Sequence, residues 1–255
     1  MAESKSPNAT SSIDTDQSAD QSADQSAVRI HPDFGDDVTA QWFDPAFWSD
    51  RAVPVGSGGR GSAWFVESPV GPLVLRFYRR GGMVAAVSDS SYLFTGEQRV
   101  RSFAEFELLK TLSEDGLPVP KPVAATYRRR NHLWYQASIL IERIVDAVPM
   151  PDADALDSTE LWTAVGQTIR RFHDHGVDHV DLNCDNILIR GDSVTLIDFD
   201  RCRLRKTAGG GDWRQGNLDR LRRSVDKRCG RFSDARRDAL WSALVDGYRN
   251  GAPAS

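Results

Sequence analysis

The most informative segment of the chain is His179-Val180-Asp181-Leu182-Asn183-Cys184-Asp185-Asn186, followed further along by Ile197-Asp198-Phe199-Asp200. The two segments follow the pattern H-x-D-L-x-x-x-N and then D-F. Short apolar runs at 187–189 and 194–197 lie between the polar positions, and Arg190-Gly191-Asp192-Ser193 between these runs predicts a hairpin turn. The alternative is that the polar residues only decorate turns. Their placement at the ends of apolar elements disfavours it.

These residue types suit the transfer of a phosphoryl group. The reaction needs a carboxylate that holds and deprotonates the attacking hydroxyl, and oxygen ligands for a Mg²⁺ that bridges the nucleotide phosphates. Asp181 is the candidate for the first role, and Asn186 and Asp198 are the candidates for the second. The spacing is that of the catalytic and metal-binding segments of kinases, so ATP and Mg²⁺ are expected.

A glycine-rich segment precedes this region, with Gly56, Gly58 and Gly61 in the spacing G-x-G-x-x-G. The same spacing occurs in dinucleotide-binding folds, where a helix follows the glycines. Here the next residues, 63–66, are strand-like. This favours the glycine-rich loop of kinases, in which backbone N–H groups approach phosphates closely. A plain hairpin loop remains the alternative.

A positive side chain that could bind phosphate ends the next predicted strand. In kinases this residue is a lysine braced by a glutamate from a helix. In this chain Leu73-Val74-Leu75 ends in Arg76, which keeps the charge and can bind phosphate through two donors but differs in shape. The predicted helix at 100–112 offers Glu105 as its partner, with Glu107 as the alternative.

The remaining pattern predicts a strand-rich first half and a helix-rich second half. A strand is predicted at 134–141, and a helix at 157–172 with a capping-box-like start at Asp157 and Glu160. Two further helices are predicted, one carrying Leu218, Leu221 and Val225 and one starting near Ser233.

These elements predict an α+β, two-lobed, protein-kinase-like fold. The strand-rich N-lobe is expected to span 31–142 and the helical C-lobe 143–255, with the nucleotide between them near 141–144. Residues 1–30 are expected to be a disordered acidic tail, because Ser-Ala-Asp-Gln repeats carry almost no large apolar side chain.

Composition limits the other classes of function. The chain has 255 residues, 32 of them basic and 36 acidic, and 40% are apolar, which is enough for a real core. No apolar run approaches the ~20 residues of a membrane span, and the N-terminus lacks the apolar segment of a signal peptide. Cys184, Cys202 and Cys229 show no metal-ligand or disulfide spacing, so free thiols are expected. His173, His175 and His179 are expected to form loop hydrogen bonds rather than a metal site.

Charge is unevenly distributed along the chain. Residues 1–40 carry a net charge of −6, which leaves +2 for the remainder. Between Arg201 and Arg231, eleven Lys or Arg face only three Asp, a local balance of +8. This cluster favours an anionic partner: nucleic acid, a membrane surface or a phosphorylated lipid. A solvated helix face is the alternative.

The chain resembles the 3-deoxy-D-manno-octulosonic acid (Kdo) kinases, which are related to the lipopolysaccharide core heptose kinases. The matching motifs are Gly58-Gly59-Arg60-Gly61-Ser62-Ala63-Trp64-Phe65-Val66, Leu75-Arg76-Phe77-Tyr78-Arg79-Arg80-Gly81-Gly82, Gly116-Leu117-Pro118-Val119-Pro120-Lys121-Pro122, Asp181-Leu182-Asn183 and Leu196-Ile197-Asp198-Phe199-Asp200-Arg201. Arg in place of Lys at position 76 is similar to that family's own pattern.

The resemblance implies ATP-dependent phosphorylation of the 4-hydroxyl of Kdo on a lipid A precursor, at the cytoplasmic face of the inner membrane. It implies that Asp181 is the active-site aspartate. Arg79, Arg80 and the cluster at 201–231 would then meet the Kdo carboxylate, the lipid phosphates and the anionic membrane surface. No A-P-E segment follows Asp198, which disfavours a protein substrate.

Three rival functions remain open at this point. A heptose or aminoglycoside kinase would share the catalytic residues but phosphorylate another hydroxyl. A catalytically silent nucleotide-binding module is disfavoured by the intact Asp181, Asn186 and Asp198. A nucleic-acid-binding protein, which is not expected, would show a steep salt dependence of affinity.

Overall fold

The computed structural model describes residues 26–56, 62–78, 92–205 and 212–251. The helices in these ranges are α1 Pro45–Trp48, α2 Arg101–Glu114, α3 Thr159–Asp174, α4 Trp213–Arg228 and α5 Asp234–Asn250. The strands are β1 Ser26–Ile30, β2 Ala52–Pro54, β3 Ala63–Ser68, β4 Gly71–Phe77, β5 Tyr92–Leu93, β6 Pro122–Arg129, β7 Trp134–Glu142, β8 Val148–Pro149, β9 Val177–Asp178, β10 Ile187–Arg190, β11 Ser193–Leu196 and β12 Arg203–Leu204.

The first half of the chain forms one antiparallel sheet. Its strands lie in the order β1-β6-β7-β4-β3-β2, with β5 also paired to β7. Sequence alternation separates the two faces: Leu73 and Leu75 of β4 pack on the outer face, and Val74 packs on the inner one. Arg76 therefore lies on the inner face, the side that turns toward the helices.

Each face of the sheet is covered by a different element. Helix α2 covers the inner face, where its apolar side chains join the main core with those of β6 and β7. The aromatic segment before β2 covers part of the outer face, where Trp42 and Trp48 pack edge to face with ring centroids 4.9 Å apart. Both faces of the sheet thus carry packed side chains, and α2 lies on β6 and β7, next to the strand that carries Arg76.

The second half is built mainly from helices. Helix α3 buries Trp162, Ile169 and Phe172 and packs closely along α5. The hairpin of β10 and β11 joins β8 in a small sheet, and β9 pairs with β12. The helix-rich second half and the α+β class expected from the sequence are confirmed.

Two boundaries expected from the sequence are wrong. Residues 26–30, which the sequence places in the tail, form β1, whose backbone pairs with the edge of β6 from Ser26 opposite Arg128 to Ile30 opposite Ala124. The composition of residues 26–30 does not predict a strand. The strand forms because the edge of β6 supplies its hydrogen-bond partners. Helix α3 begins at Thr159 with Ser158 as its cap, and Asp157 instead accepts a 2.6 Å hydrogen bond from Arg236 of α5.

Several sequence-based expectations fall outside the described residues: the tail up to residue 25, Gly58, Gly61, Arg79, Arg80 and Lys206. No helix within the described ranges is long and apolar enough to cross a membrane.

Candidate active site

Arg76 lies at the centre of an ionic network between the sheet and the helices. Its Nη2 donates to Glu105 of α2, and its Nη1 donates to Asp198 in the segment after β11. The side chain of Arg76 is only 19% exposed and that of Glu105 only 2%. Three segments distant in sequence therefore meet at one guanidinium.

The charges of Arg76 and Glu105 are stabilised by neighbouring charged and polar side chains rather than by water. Burial raises the pKa of Glu105, although Arg76 and the donated hydroxyl of Tyr78 both favour its ionised form. Burial alone would lower the pKa of Arg76, but Glu105 above all raises it well above its ordinary value. Arg76 is therefore a permanent buried cation, as a phosphate-binding group needs to be.

Asp198 reaches Arg76 through an unusual backbone conformation. Its φ of +62° lies in the left-handed region, which aspartate enters more readily than most side chains. Phe199, the next residue, is buried against Phe172 and against the ring of His179, whose centroid lies 4.9 Å away. The buried phenyl ring anchors this turn, and the Asp198 carboxylate stays 38% exposed.

Asp181 lies in the loop of residues 179–186, which we call the catalytic loop. Its carboxylate is 56% exposed, so a hydroxyl could approach it from solvent. Its carbonyl oxygen accepts hydrogen bonds of 3.0 Å from the side-chain amides of Asn183 and Asn186. Because Asn186 donates through Nδ2, its side-chain oxygen is left available as a ligand.

His179 fixes the catalytic loop to the segment that carries Asp198. Its Nε2 donates to the carbonyl of Ile197 at 3.0 Å, which places the proton on Nε2 when the ring is neutral. Burial lowers the pKa of His179, so the ring is neutral at physiological pH. The negative charges of Asp198 and Asp181 partly oppose this lowering of the pKa of His179.

A side chain of helix α4 is hydrogen bonded to the catalytic loop. The Asn217 side chain accepts from the backbone N–H of His179 at 3.0 Å and donates to Asp178 at 3.1 Å. Asp178 is buried, and Arg205 donates to it at 2.7 Å. Asn217 of α4 thus holds the start of the loop, and Asp178 in turn fixes the side chain of Asn217.

The site fits ATP and Mg²⁺. The Nε of Arg76 is buried and has no hydrogen-bond partner among the described residues, which leaves a donor for a phosphate oxygen. Mg²⁺ is typically held by one or two protein oxygens together with substrate phosphates. The Asp198 carboxylate and the Asn186 amide oxygen are a donor set of that kind.

The structure brings predicted site residues together in two groups, and in the first of them Asn186 bonds to the backbone of Asp181. In the second, Arg76, Glu105 and Asp198 are in direct contact. The choice left open in α2 is settled by geometry: Glu105 faces Arg76, whereas Glu107 binds Arg29 of β1 at 2.7 Å. Gly56 has a φ of +82° at the end of β2, and its two companion glycines lie outside the described residues.

Sequence reasoning missed a second ion pair between α2 and the segment after β11. Arg101 donates through Nε to Asp200 at 2.8 Å, and its guanidinium lies 4.6 Å from the centroid of the Tyr92 ring. Asp200 follows Phe199 directly, so a carboxylate two residues after Asp198 was the available signal. Helix α2 is therefore joined to this segment at two points, Glu105 through Arg76 and Arg101 directly.

The three histidines that cluster in sequence have separate partners. His173 contacts the Tyr248 hydroxyl at 2.7 Å, and His175 contacts Asp115 at 2.8 Å. His179 contacts the backbone at Ile197. The cysteines are free thiols, as expected.

Comparisons with known proteins agree with this geometry. The model of the lipopolysaccharide kinase (Kdo/WaaP) family matches residues 45–248. A 3-deoxy-D-manno-octulosonic acid kinase of Stenotrophomonas maltophilia (strain K279a) is 48% identical over 193 residues, 75% of this chain and 76% of that protein. The protein of the same name from Xanthomonas euvesicatoria pv. vesicatoria (strain 85-10) is 47% identical over 211 residues, 82% of this chain and 84% of its own length. The family resemblance inferred from the motifs is confirmed.

A solved structure supports the fold alone. WaaP in complex with acyl carrier protein matches with a TM-score of 0.50 and 15% identity, over 86% of this chain and 88% of that one. The kinase-like fold expected from the sequence is confirmed.

Proposed function

The chain belongs to the lipopolysaccharide kinase (Kdo/WaaP) family and is a kinase, and we propose that it transfers the γ-phosphoryl group of ATP to the 4-hydroxyl of a Kdo residue on a lipid A precursor. The observation that carries this proposal is the contact of Arg76 with both Glu105 and Asp198, beside the exposed Asp181. The names of the relatives, both Kdo kinases, support the choice of acceptor.

The nucleotide side of the site is formed by residues from both halves of the chain. Gly56, Gly58 and Gly61 hold the phosphates through backbone N–H groups, and Arg76 binds them through its charge. Asn186 and Asp198 would hold Mg²⁺, which would neutralise charge on the phosphates. Glu105 keeps the Arg76 guanidinium in place.

Asp181 acts on the acceptor. Its carboxylate accepts a hydrogen bond from the sugar hydroxyl and takes its proton as the new O–P bond forms and the bond from the γ-phosphorus to the ADP oxygen breaks. A positioned base of this kind contributes about 10²- to 10⁴-fold to the rate. His179 and Asn217 hold the backbone beside Asp181, so the carboxylate is presented from a rigid loop.

The test is transfer of labelled phosphate from Mg-ATP to a Kdo-bearing lipid A precursor, compared with the same lipid lacking Kdo. We expect transfer only to the Kdo lipid. Asp181→Ala should lower turnover by at least about 10²-fold while nucleotide binding, followed by fluorescence of a nucleotide analogue, stays near that of the wild type.

Two results would contradict the proposal. Equal labelling of the lipid lacking Kdo would move the acceptor to another sugar, such as a heptose. An Asp181→Ala variant with unchanged turnover would remove Asp181 from the reaction.

We further propose that the enzyme works as a peripheral protein at the cytoplasmic face of the inner membrane, where an anionic surface attracts the cluster at 201–231. Two members of that cluster, Arg223 and Lys227, lie exposed on α4 with no ion-pair partner among the described residues. Near an anionic leaflet each such cation contributes about 1 kcal/mol of binding.

A further inference from the structure

One face of helix α4 lies along the catalytic loop. Three of its side chains bond to that loop: Asn217 to the backbone of His179 at 3.0 Å, Ser224 to the backbone of Cys184 at 2.9 Å, and Arg228 to the carboxylate of Asp185 at 2.9 Å. These positions recur at helical spacing, and Arg220 lies between the first two. The place of Arg220 beside the loop is therefore set by anchors on both sides of it.

Arg220 differs from its neighbours in how it meets a carboxylate. Its Nη1 lies 3.8 Å from Oδ1 of Asp181, beyond hydrogen-bond distance. Arg222, by contrast, donates to Asp238 at 2.6 Å, and Arg228 is hydrogen bonded to Asp185. The donors of Arg220 thus remain available, although the residue lies next to the candidate base.

Solvent reaches both groups of this pair. The side chains of Arg220 and Asp181 are 48% and 56% exposed, respectively. An incoming sugar whose hydroxyl contacts Asp181 would therefore present its nearby substituents to the guanidinium.

Within the described ranges, two other cations near the site are already paired. Arg76 is bound to Glu105 and Asp198, and Arg101 is bound to Asp200. Among the described residues, Arg220 is the cation recorded within 4 Å of Asp181. An anionic group beside a hydroxyl that contacts Asp181 would therefore lie close to Arg220.

We propose that Arg220 forms a carboxylate-binding site for the acceptor, which holds the acid group of the sugar while its hydroxyl lies on Asp181. This inference rests on the proposed function, because the acceptor is an octulosonic acid and carries one carboxylate on the ring that is phosphorylated. A guanidinium binds a carboxylate through two parallel N–H donors, which orients the ring as well as holding it. Arg220 thereby selects acid sugars over neutral ones.

The experiment compares two acceptors: the Kdo-bearing lipid with a free carboxylate and the same lipid as its carboxyl methyl ester. The wild type should favour the acid by about 10- to 100-fold in kcat/KM, the worth of hydrogen bonds to a charged group. Arg220→Met keeps the apolar stem and should lose most of this preference, with the KM for ATP unchanged. Arg220→Lys, which keeps the positive charge but lacks the two parallel N–H donors, should retain part of this preference.

The matched control is Arg249→Met, which removes an exposed cation from α5 and should preserve the preference of the wild type. An Arg220→Met enzyme that still prefers the acid as strongly as the wild type would overturn the proposal. So would a wild type that phosphorylates acid and ester equally, a result that requires no variant to fold. If the wild type labels neither Kdo lipid, the proposed function itself has failed.

Discussion

At the scale of single residues, the decisive feature is a buried guanidinium shared by two carboxylates. Arg76 lies between Glu105 and Asp198, and Tyr78 donates to Glu105 as well. Removing one partner of a buried ion pair leaves the other charge without compensation, which costs several kcal/mol. The same change at an exposed pair costs less than about 1 kcal/mol.

Glu105 and Glu107 therefore form a matched pair of test positions on α2. We expect Glu105→Gln to lower the free energy of unfolding by about 3 kcal/mol. It should also lower kcat/KM at least about 10-fold and raise the KM for ATP, because the Arg76 guanidinium loses the carboxylate that holds it in place. Glu107→Gln should change stability by under about 1 kcal/mol and leave activity intact. Denaturant unfolding and steady-state kinetics measure both. Equal effects at the two positions would refute the assignment of Glu105.

His173 should make stability depend on pH. Burial lowers the pKa of His173 to about 4, against about 6.5 in an unfolded chain. Above pH 6.5 the ring is neutral in both states. As pH falls from 6.5 toward 4, only the unfolded state takes up the proton, so the folded state loses up to about 3 kcal/mol.

The measurement is urea unfolding between pH 7 and pH 4 for the wild type and for His173→Gln. The variant is less stable at pH 7, since it loses the packing of the ring beside Trp213 and Tyr248. Its free energy of unfolding should nevertheless fall less steeply with acid. Parallel curves would show that His173 titrates normally in the folded protein.

At the scale of elements, α3 and α5 touch backbone to backbone. A Cβ on Gly166 would lie 2.0 Å from the carbonyl oxygen of Leu244, and one on Gly247 would lie 2.3 Å from that of Thr163. Neither contact can be relieved by turning a side chain, because both neighbours are backbone atoms. The two glycines therefore set the distance between the helices that form the centre of the second half.

Gly166→Ala and Gly247→Ala should each destabilise the protein by about 3 kcal/mol, at the upper end for overpacking. Gly216→Ala is the control, because Gly216 lies in α4 with nothing within 4 Å of its Cβ position. That substitution should stabilise by about 0.5 to 1 kcal/mol through helix propensity. Thermal and denaturant unfolding measure these changes in stability. A Gly166→Ala variant as stable as the wild type would mean that α3 and α5 lie further apart.

At the scale of the whole molecule, charge is segregated but partly neutralised by folding. The cluster at 201–231 has a balance of +8 in the sequence. In the structure, carboxylates from outside the cluster bind several of its members: Asp178 binds Arg205, Asp185 binds Arg228, and Asp238 binds Arg222. The surface that remains for an anionic partner is smaller than the sequence count indicates.

Binding to anionic vesicles should depend on the unpaired members of the cluster. The Arg223→Glu/Lys227→Glu double variant should bind vesicles of phosphatidylglycerol and phosphatidylcholine at least about 10-fold more weakly, and added salt should weaken wild-type binding. Arg249→Glu on α5 and vesicles of pure phosphatidylcholine are the controls. Undiminished binding of the double variant in a sedimentation assay would exclude this surface.

The two segments that form the candidate site could be predicted from the sequence. Asp181, Asn186 and Asp198 are tied to each other by short spacing and by the apolar runs between them, so a one-dimensional pattern carries the information. The main helices were found for the same reason, because an apolar stripe repeats with the helical period within a single segment. Strand β6 was missed, since it begins with Pro122 and its strand-favouring Val123, Thr126 and Tyr127 are interrupted by two alanines without a clear alternation of buried and exposed positions.

Only the tertiary structure decided which charges meet. Glu105 and Glu107 are both glutamates of one helix, and the packing of α2 against β6 and β7 determines which of them faces Arg76. Strand β1 exists because β6 offers an unpaired edge nearly a hundred residues further along the chain. Arg220, Arg222 and Arg228 look alike in sequence, yet Arg220 lies beside Asp181 and the other two are bound to other carboxylates. A sequence pattern specifies residue types and local spacing, but contacts between distant segments depend on how their elements pack.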